Sequence, residues 1–215
     1  MNDDTINTTV ISQWLKSIIE DDHLHAKWLN TLSFMENCGA RMISLCEHPT
    51  KVKEEMLKHA AEEFRHAYYL KRQIRKLSTV PLPDYSLHLL LGCSYSKHYL
   101  QLLNNSICRF LSKNMNLKGN DIKSRAYLLV TYAIEVRASL LYPLYHEALT
   151  NTQSNISMRA IIAEEETHLK DIENELQHFP NQLHLKEMSL SFENQLFHRL
   201  FEKLLLTTNS TCAIE

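Results

Sequence analysis

The amino-acid sequence predicts an all-α protein made of long helices. Only 3 Gly and 5 Pro occur in 215 residues, and a β-rich fold would need many more turn residues. Apolar residues recur at helical spacing along most of the chain, as at Leu29, Leu32, Ala40 and Ile43. With 44% hydrophobic residues, a chain of this length can bury a full core as one domain, residues 1–215.

Prolines and polar segments divide the chain into helices. Helices are expected to stop at His48-Pro49, before Pro81, at a loop containing Gly119, and at Phe179-Pro180. The predicted helices, in order, are a leading helix (about 8–20), helix one (to about 47), helix two (about 50–77), an extra helix (about 84–113), helix three (about 122–149), helix four (about 152–178) and a C-terminal helix (about 185–206).

Helices two and four each carry a Glu-x-x-His motif. The motifs are Glu63-x-x-His66 and Glu165-x-x-His168, each within an apolar stripe. Because residues three apart share a helical face, each motif directs a carboxylate and an imidazole to one point. Two further motifs, Glu20-x-x-His23 and Glu175-x-x-His178, lie at helix ends among polar residues. We interpret these two as solvent-exposed.

A single core-facing Glu precedes each motif by one helix. Glu36 lies on the apolar face of helix one, 27 residues before Glu63, and Glu135 lies on helix three, 30 residues before Glu165. The chain therefore repeats loosely as two helical hairpins. The segment between them is long enough to cross the length of a helical bundle.

Four carboxylates and two imidazoles make a complete ligand set for two metal ions. In the expected arrangement the terminal ligands are Glu36 with His66 and Glu135 with His168, and the bridging ligands are Glu63 and Glu165. The four carboxylates offset the four positive charges of two divalent ions, so that a bundle interior can hold them. Mixed oxygen and nitrogen ligation suits iron or manganese, whereas a tetrahedral zinc site would have fewer carboxylates.

In these motifs the chain resembles the ferritin-like di-iron carboxylate superfamily, over about Leu24 to His178. The segments that carry the resemblance are FMENCGARM with Glu36, AAEEFRHAYY with Glu63 and His66, YAIEVRA with Glu135, and AEEETHL with Glu165 and His168. The resemblance implies a ferritin-like four-helix bundle at about 22–180, with additional N-terminal, crossover and C-terminal helices. It also implies two iron ions and dioxygen or peroxide chemistry; a manganese-iron pair stays open.

The superfamily includes storage ferritins, rubrerythrins, ribonucleotide reductase small subunits and hydroxylases, and this chain is most similar in size to the small hydroxylases. It lacks the Cys pairs of rubrerythrins, and its first ligand position holds Glu36 where ribonucleotide reductase subunits commonly have Asp. The Glu-x-x-Gly-Ala run from Glu36 to Ala40 is similar to the quinone hydroxylases. We therefore expect an oxidoreductase that activates dioxygen as a monooxygenase or oxidase. Alternatives are a ferroxidase for iron storage or detoxification, and a non-catalytic helical interaction module.

Two neighbours of the ligands are candidate catalytic residues. His59 lies one turn before Glu63 on the inner face, and it is either an extra ligand, a proton relay or an outer hydrogen-bonding group, or a core histidine with ordinary partners. Tyr132 lies one turn before Glu135, where it either hydrogen-bonds an active-site oxygen or takes part in electron transfer, or simply packs. A substrate pocket is expected beside helix three and the extra helix.

Charge and cysteine content set the expected partners and location. A net charge of -2 gives no basic excess for binding nucleic acid. The expected partners are dioxygen, a small-molecule substrate and an electron donor, in a monomer or homodimer. The 5 Cys contain no C-x-x-C pair and predict buried thiols in a reducing cytoplasm, and MNDDTINTT has no signal-peptide features. The longest apolar stretch, Leu87 to Cys93, is too short to span a membrane.

Overall fold

The computed structural model describes residues 6–48, 50–77 and 81–211. In these residues the chain forms seven α-helices and no β-strand, which confirms the all-α prediction. The helices are α1 (Thr8–Ile19), α2 (Asp22–Cys46), α3 (Glu54–Gln73), α4 (Ser94–Asn114), α5 (Asn120–Asn151), α6 (Arg159–Gln177) and α7 (Gln182–Thr211). Pro49, the predicted stop of helix one, and the tail after Thr211 lie outside the described residues.

Local capping explains why the first two helices are separate. The Asn7 side chain accepts a hydrogen bond from the backbone N–H of Thr9 and caps α1. The Asp21 carboxylate accepts from the backbone N–H groups of His23 and Leu24 and caps α2. A side chain that satisfies the first free N–H groups stabilises a helix start, so Asp21 begins a new helix immediately after α1.

Three helices begin later than the sequence predicts. The α3 helix starts at Glu54 instead of about Thr50, α4 at Ser94 instead of about 84, and α6 at Arg159 instead of about 152. Before α4, a 3-10 turn at Leu87–Leu89 leads into Gly92 and Cys93, whose φ angles of 72° and 48° are left-handed. Before α6, Gln153 has a φ of 54°. Left-handed residues interrupt a right-handed helix, which explains both late starts.

Two apolar clusters form the core. In the first, Trp14 of α1 contacts Trp28 of α2 edge-to-face at a centroid distance of 4.9 Å, and Phe201 of α7 at 5.4 Å. The second joins α4, α5 and α6 through Leu103, Leu129 and Ile172 among others. The α2 helix packs chiefly against α3, and α5 packs chiefly against α6. These are the helix pairs of the two predicted hairpins, and contacts of α2 with α5 and of α3 with α6 join them.

A buried ion pair attaches α7 to α4 and α5. The Arg137 guanidinium donates to both carboxylate oxygens of Glu193, at 2.8 and 2.7 Å, and its centre lies 3.9 Å from the Phe197 ring centroid. The Tyr99 hydroxyl of α4 donates to the same carboxylate. Planar two-point pairing and the Tyr99 hydrogen bond satisfy the buried charges, so α7 is held by polar as well as apolar contacts.

The described helices and cysteines bear on the membrane and thiol predictions. None of the helices in residues 6–48, 50–77 and 81–211 is both long and apolar enough to cross a membrane. The four described cysteines, Cys38, Cys46, Cys93 and Cys108, are free thiols. The predicted burial is only partial, because Cys38, Cys46 and Cys108 are half-buried. It is wrong for Cys93, which is exposed in the left-handed turn before α4.

We predict that protonation of His25 destabilises the fold at acidic pH. His25 is buried, its Nε2 lies 2.6 Å from the Tyr145 hydroxyl, and burial lowers its pKa from 6.5 to about 4. Between these two values the unfolded chain binds a proton that the folded chain does not, so stability falls as pH falls. In urea unfolding at pH about 7 and about 5, wild type should lose about 2 kcal/mol more than His25→Gln. Equal losses in both proteins would contradict this assignment.

Candidate metal centre

Four helices deliver seven side chains that could bind metal ions to one interior region. They are Glu36 of α2, His59, Glu63 and His66 of α3, Glu135 of α5, and Glu165 and His168 of α6. On α3 the three residues are spaced by four and three positions, so they share one helical face. All are buried residues except Glu36, which is partly exposed although its carboxylate is desolvated.

The side chains form two groups that share Glu63. One group is Glu36, Glu63, His66 and Glu165, and the other is His59, Glu63, Glu135 and His168. Within each group, one donor atom from every residue lies within 4.8 Å of the others. The structure therefore brings together all six residues predicted as ligands, and it adds His59. Each group could hold a metal ion.

The carboxylates of Glu63 and Glu165 lie between the two groups. One oxygen of Glu165 is 3.1 Å from Nδ1 of His66, and its other oxygen is 3.2 Å from Nδ1 of His168. Glu63 is arranged similarly, with Oε2 3.8 Å from Nδ1 of His66 and Oε1 3.4 Å from Nδ1 of His168. Each of these carboxylates thus presents one oxygen to each group.

His59 completes the second group. Its Nε2 lies 3.3 Å from Oε1 of Glu63 and 3.4 Å from Oε1 of Glu135. Its Nδ1 faces the Tyr127 hydroxyl at 3.3 Å. At the corresponding position of α6, one turn before Glu165, the residue is the buried Ile161. The two groups consequently differ, because one contains two imidazoles and the other contains one.

Two outer carboxylates hold the imidazoles across the α3–α6 interface. Glu164 of α6 lies 2.6 Å from Nε2 of His66, and Glu62 of α3 lies 2.8 Å from Nε2 of His168. An ionised carboxylate only accepts hydrogen bonds, so each Nε2 carries the proton and donates it. This fixes the tautomer and leaves each Nδ1 facing the centre. Arg65 donates to Glu164 at 2.6 Å and supports its ionised form.

Three buried atoms at the centre have no hydrogen-bond partner within the described residues. They are Nε2 of His59, Oε1 of Glu63 and Nδ1 of His66. Buried polar atoms almost always have a hydrogen-bond partner, so three unpaired oxygen and nitrogen atoms at one place need an explanation. The three atoms lie near other side chains of the two groups, but not at angles that allow hydrogen bonds, and they face the same part of the centre. Carboxylate oxygens and imidazole nitrogens of this kind fit a bound cation.

The carboxylates divide into two electrostatic kinds. Burial, reinforced by the charge of Glu63, raises the pKa of Glu36 well above its usual range. Burial and the charge of Glu165 likewise raise the pKa of Glu135. Burial also opposes ionisation of Glu63 and Glu165, but the close approach of the imidazoles outweighs it and lowers both pKa values. Without a cation, Glu63 and Glu165 are therefore charged, whereas Glu36 and Glu135 hold protons.

The neighbouring carboxylates also change the pKa values of two imidazoles. Burial disfavours the imidazolium of His66, but Glu165 and Glu63 outweigh it and raise its pKa to about 11. The pKa of His168 is raised in the same way, by Glu165 and Glu62 against the effect of burial. Protons on the two histidines thus take the place that cations would occupy between the carboxylates.

Two tyrosines at the centre were missed by the sequence reasoning. The Tyr142 hydroxyl donates to Glu36, and Tyr127 faces His59. They lie seven residues after and eight before Glu135, so the helical period of α5 could have found them. Tyr132, the predicted candidate, instead lies in the second apolar cluster with the Lys186 ammonium 4.9 Å from its ring centroid.

A cavity of about 110 Å3 adjoins the two groups, and we call it the inner cavity. Its wall includes Glu36, His59 and Glu135, and apolar side chains of α2, α4 and α5 form most of the remainder. Tyr132 is not among the lining residues, whereas Thr131 is. The expected pocket beside helix three and the extra helix is therefore present, with α2 as a third wall. The motifs Glu20-x-x-His23 and Glu175-x-x-His178 are exposed, as predicted.

No family model, curated protein or solved structure matches this chain. The class of protein defined by its fold and centre is thus an all-helical protein with buried Glu and His groups that could bind metal ions, compatible with a ferritin-like fold.

We predict that the outer carboxylates strengthen metal binding without being ligands. Glu62→Gln and Glu164→Gln should each weaken binding of Mn²⁺ or anaerobic Fe²⁺ by about 10- to 100-fold, because the imidazole loses its charged acceptor. Isothermal titration calorimetry measures the affinities. The control is Glu166→Gln, since Glu166 is exposed on the same helix. Affinities equal to that control would show that the outer pairs do not support the centre.

We also predict that metal binding releases protons and tightens as pH rises. The raised pKa values of Glu36, Glu135 and His66 mean that these groups hold protons in the metal-free protein. Ligands must lose their protons to bind a metal. Titration of Mn²⁺ in two buffers of different ionisation enthalpy gives the number of protons released. A metal affinity independent of pH between about 6 and 8 would contradict the predicted protonation.

Proposed function

We propose that this protein is a non-haem di-iron oxidoreductase that activates dioxygen to oxidise or hydroxylate a small-molecule substrate. The observation that carries the proposal is the pair of adjoining ligand groups with Glu63 common to both and Glu165 between them. We further propose that α2, α3, α5 and α6 form a ferritin-like four-helix bundle around the two ions. The helix pairing and the origin of the ligands support this topology.

The first ion would be held by Glu36, Glu63, His66 and Glu165. The second would be held by Glu63, Glu135, His168 and His59, with the second oxygen of Glu165 within reach. The four carboxylates balance two divalent cations, and oxygen-rich ligation with imidazole suits iron, or a manganese-iron pair, better than tetrahedral zinc. A pair of divalent cations would also give partners to the three unpaired buried atoms described above.

Two bound ferrous ions would supply electrons to dioxygen, and an external electron donor would then reduce the oxidised ions again. The residues of the chain have separate tasks around that chemistry. Glu62 and Glu164 keep the imidazoles oriented, and Glu36 can exchange a proton with the Tyr142 hydroxyl that contacts it. The apolar wall of the inner cavity excludes water beside the centre and leaves space for a substrate carbon.

An iron-storage ferroxidase is the alternative that uses the same ligands. The inner cavity favours the enzyme, because storage needs an exit for iron and not an apolar chamber beside the ligands. Particle mass separates the two: a monomer or dimer supports the oxygenase, and a large hollow assembly supports storage. Size-exclusion chromatography with light scattering measures this mass.

The test of the centre is metal stoichiometry with matched variants. Wild type, loaded anaerobically with Fe²⁺, should bind two ions per chain and change its visible spectrum on exposure to oxygen. Glu36→Ala and Glu135→Ala should each lose about one ion, whereas Glu63→Ala should lose both, because only Glu63 belongs to both groups. The exposed Glu166→Ala is the control. No metal uptake by wild type, or two ions in Glu63→Ala, would overturn the proposal.

A further inference from the structure

A second cavity lies directly outside the inner cavity, between α2 and α4. It has a volume of about 400 Å3, and we call it the outer groove. Both cavities are lined by Met35, Met42, Leu100 and Asn104. These shared residues lie between the two spaces, so the groove adjoins the inner cavity. A molecule lying along both would reach from solvent to the ligand groups.

The outer groove is apolar with a basic rim. Arg41 of α2 and Lys97 of α4 line it from opposite sides, and its lining contains no Asp or Glu. Both side chains belong to exposed residues, and neither forms an ion pair with a carboxylate in the described part of the chain. Two unpaired cations beside apolar side chains are suited to an anionic head attached to an apolar body.

Gly39 leaves room in the inner cavity. It lies in the interior of α2, three residues after Glu36, and a Cβ added there would meet no atom within 4 Å. Its backbone is helical, so no turn requires glycine at this position. Glycine inside a helix costs about 1 kcal/mol relative to alanine. No close neighbour requires glycine here, so its missing side chain leaves open space beside the ligand groups.

The dimensions restrict the apolar part of the ligand. A cavity of about 150 Å3 can hold one benzene molecule. The inner cavity, at about 110 Å3, therefore accepts a narrow alkyl segment and excludes a fused ring system. Arg41 is five residues from Glu36, which is about 7.5 Å along the helix axis. A chain of several carbons is needed to join the two positions.

We propose that the substrate is an amphipathic organic anion, a medium-length alkyl chain ending in a carboxylate. The carboxylate binds Arg41 and Lys97 in the outer groove, and the alkyl chain passes the four shared residues into the inner cavity, where Gly39 makes room for it. Arg41 and Lys97 determine specificity and do not touch the reacting atoms. This inference rests on the proposed function, which makes the inner cavity the substrate chamber.

The test uses decanoate as the probe, with decan-1-ol as the uncharged comparison, on the full chain by calorimetry. Decanoate should bind wild type, and Arg41→Gln/Lys97→Gln should weaken its binding about tenfold, the effect of losing exposed charge-assisted contacts. Decan-1-ol binding should not change. The matched control is Arg109→Gln/Lys113→Gln, which removes two exposed cations of α4 outside the groove.

A second variant tests the inner cavity separately. Gly39→Leu should abolish binding of both probes, because the new side chain fills the chamber, and the thermal midpoint should not fall, because leucine favours the helix. Failure of decanoate to bind wild type, equal weakening in the two double variants, or unchanged binding to Gly39→Leu would overturn the inference. Metal stoichiometry is measured on the same samples. Two bound ions without decanoate binding overturn only this inference, and decanoate binding without metal overturns only the di-iron proposal.

Discussion

The interior of this protein depends on keeping four carboxylates close together in a largely buried centre. Two of them, Glu63 and Glu165, stay charged because imidazoles contact them, and the other two, Glu36 and Glu135, are neutralised by protons. Isolated buried charges would cost many kcal/mol, so this division is the condition under which the helices can pack. A divalent cation bound between these carboxylates would replace protons already held there. Metal binding would then be linked to folding through the same residues.

The two ligand groups are nearly symmetric, but they differ in the number of imidazoles that they contain. Each Glu-x-x-His helix supplies an outer carboxylate to the histidine of the other, so α3 and α6 are joined reciprocally. His59 breaks the symmetry, because the corresponding residue of α6 is Ile161. Two positions with different numbers of imidazoles would hold two ions with different affinities and potentials. Such inequality lets one position bind its ion firmly while the other changes ligation.

The sequence predicted the features that depend on helical periodicity. The six candidate ligands follow from i to i+3 spacing and from one Glu on each preceding helix. Tyr127 and Tyr142 obey the same helical period from Glu135 but were not predicted. The pairing of Glu62 with His168 could not be predicted, because it depends on how far α3 and α6 rotate about their axes. The late start of α4 could not be predicted either, because Cys93 adopts a left-handed conformation that cysteine does not favour. Tyr132 was misplaced because a residue three positions from a ligand can still point toward a neighbouring helix.

The C-terminal helix α7 acts as an electrostatic shield for the chamber beside the centre. Arg137 lines the inner cavity, yet its charge is matched by Glu193, which comes from α7. An Arg137 without this counter-ion would be a desolvated cation in an apolar wall. It would attract an anionic head group into the depth of the cavity and reverse the direction in which a ligand enters. In the proposed binding mode, a helix that supplies no ligand to the centre therefore keeps the anionic end of the substrate at the outer groove.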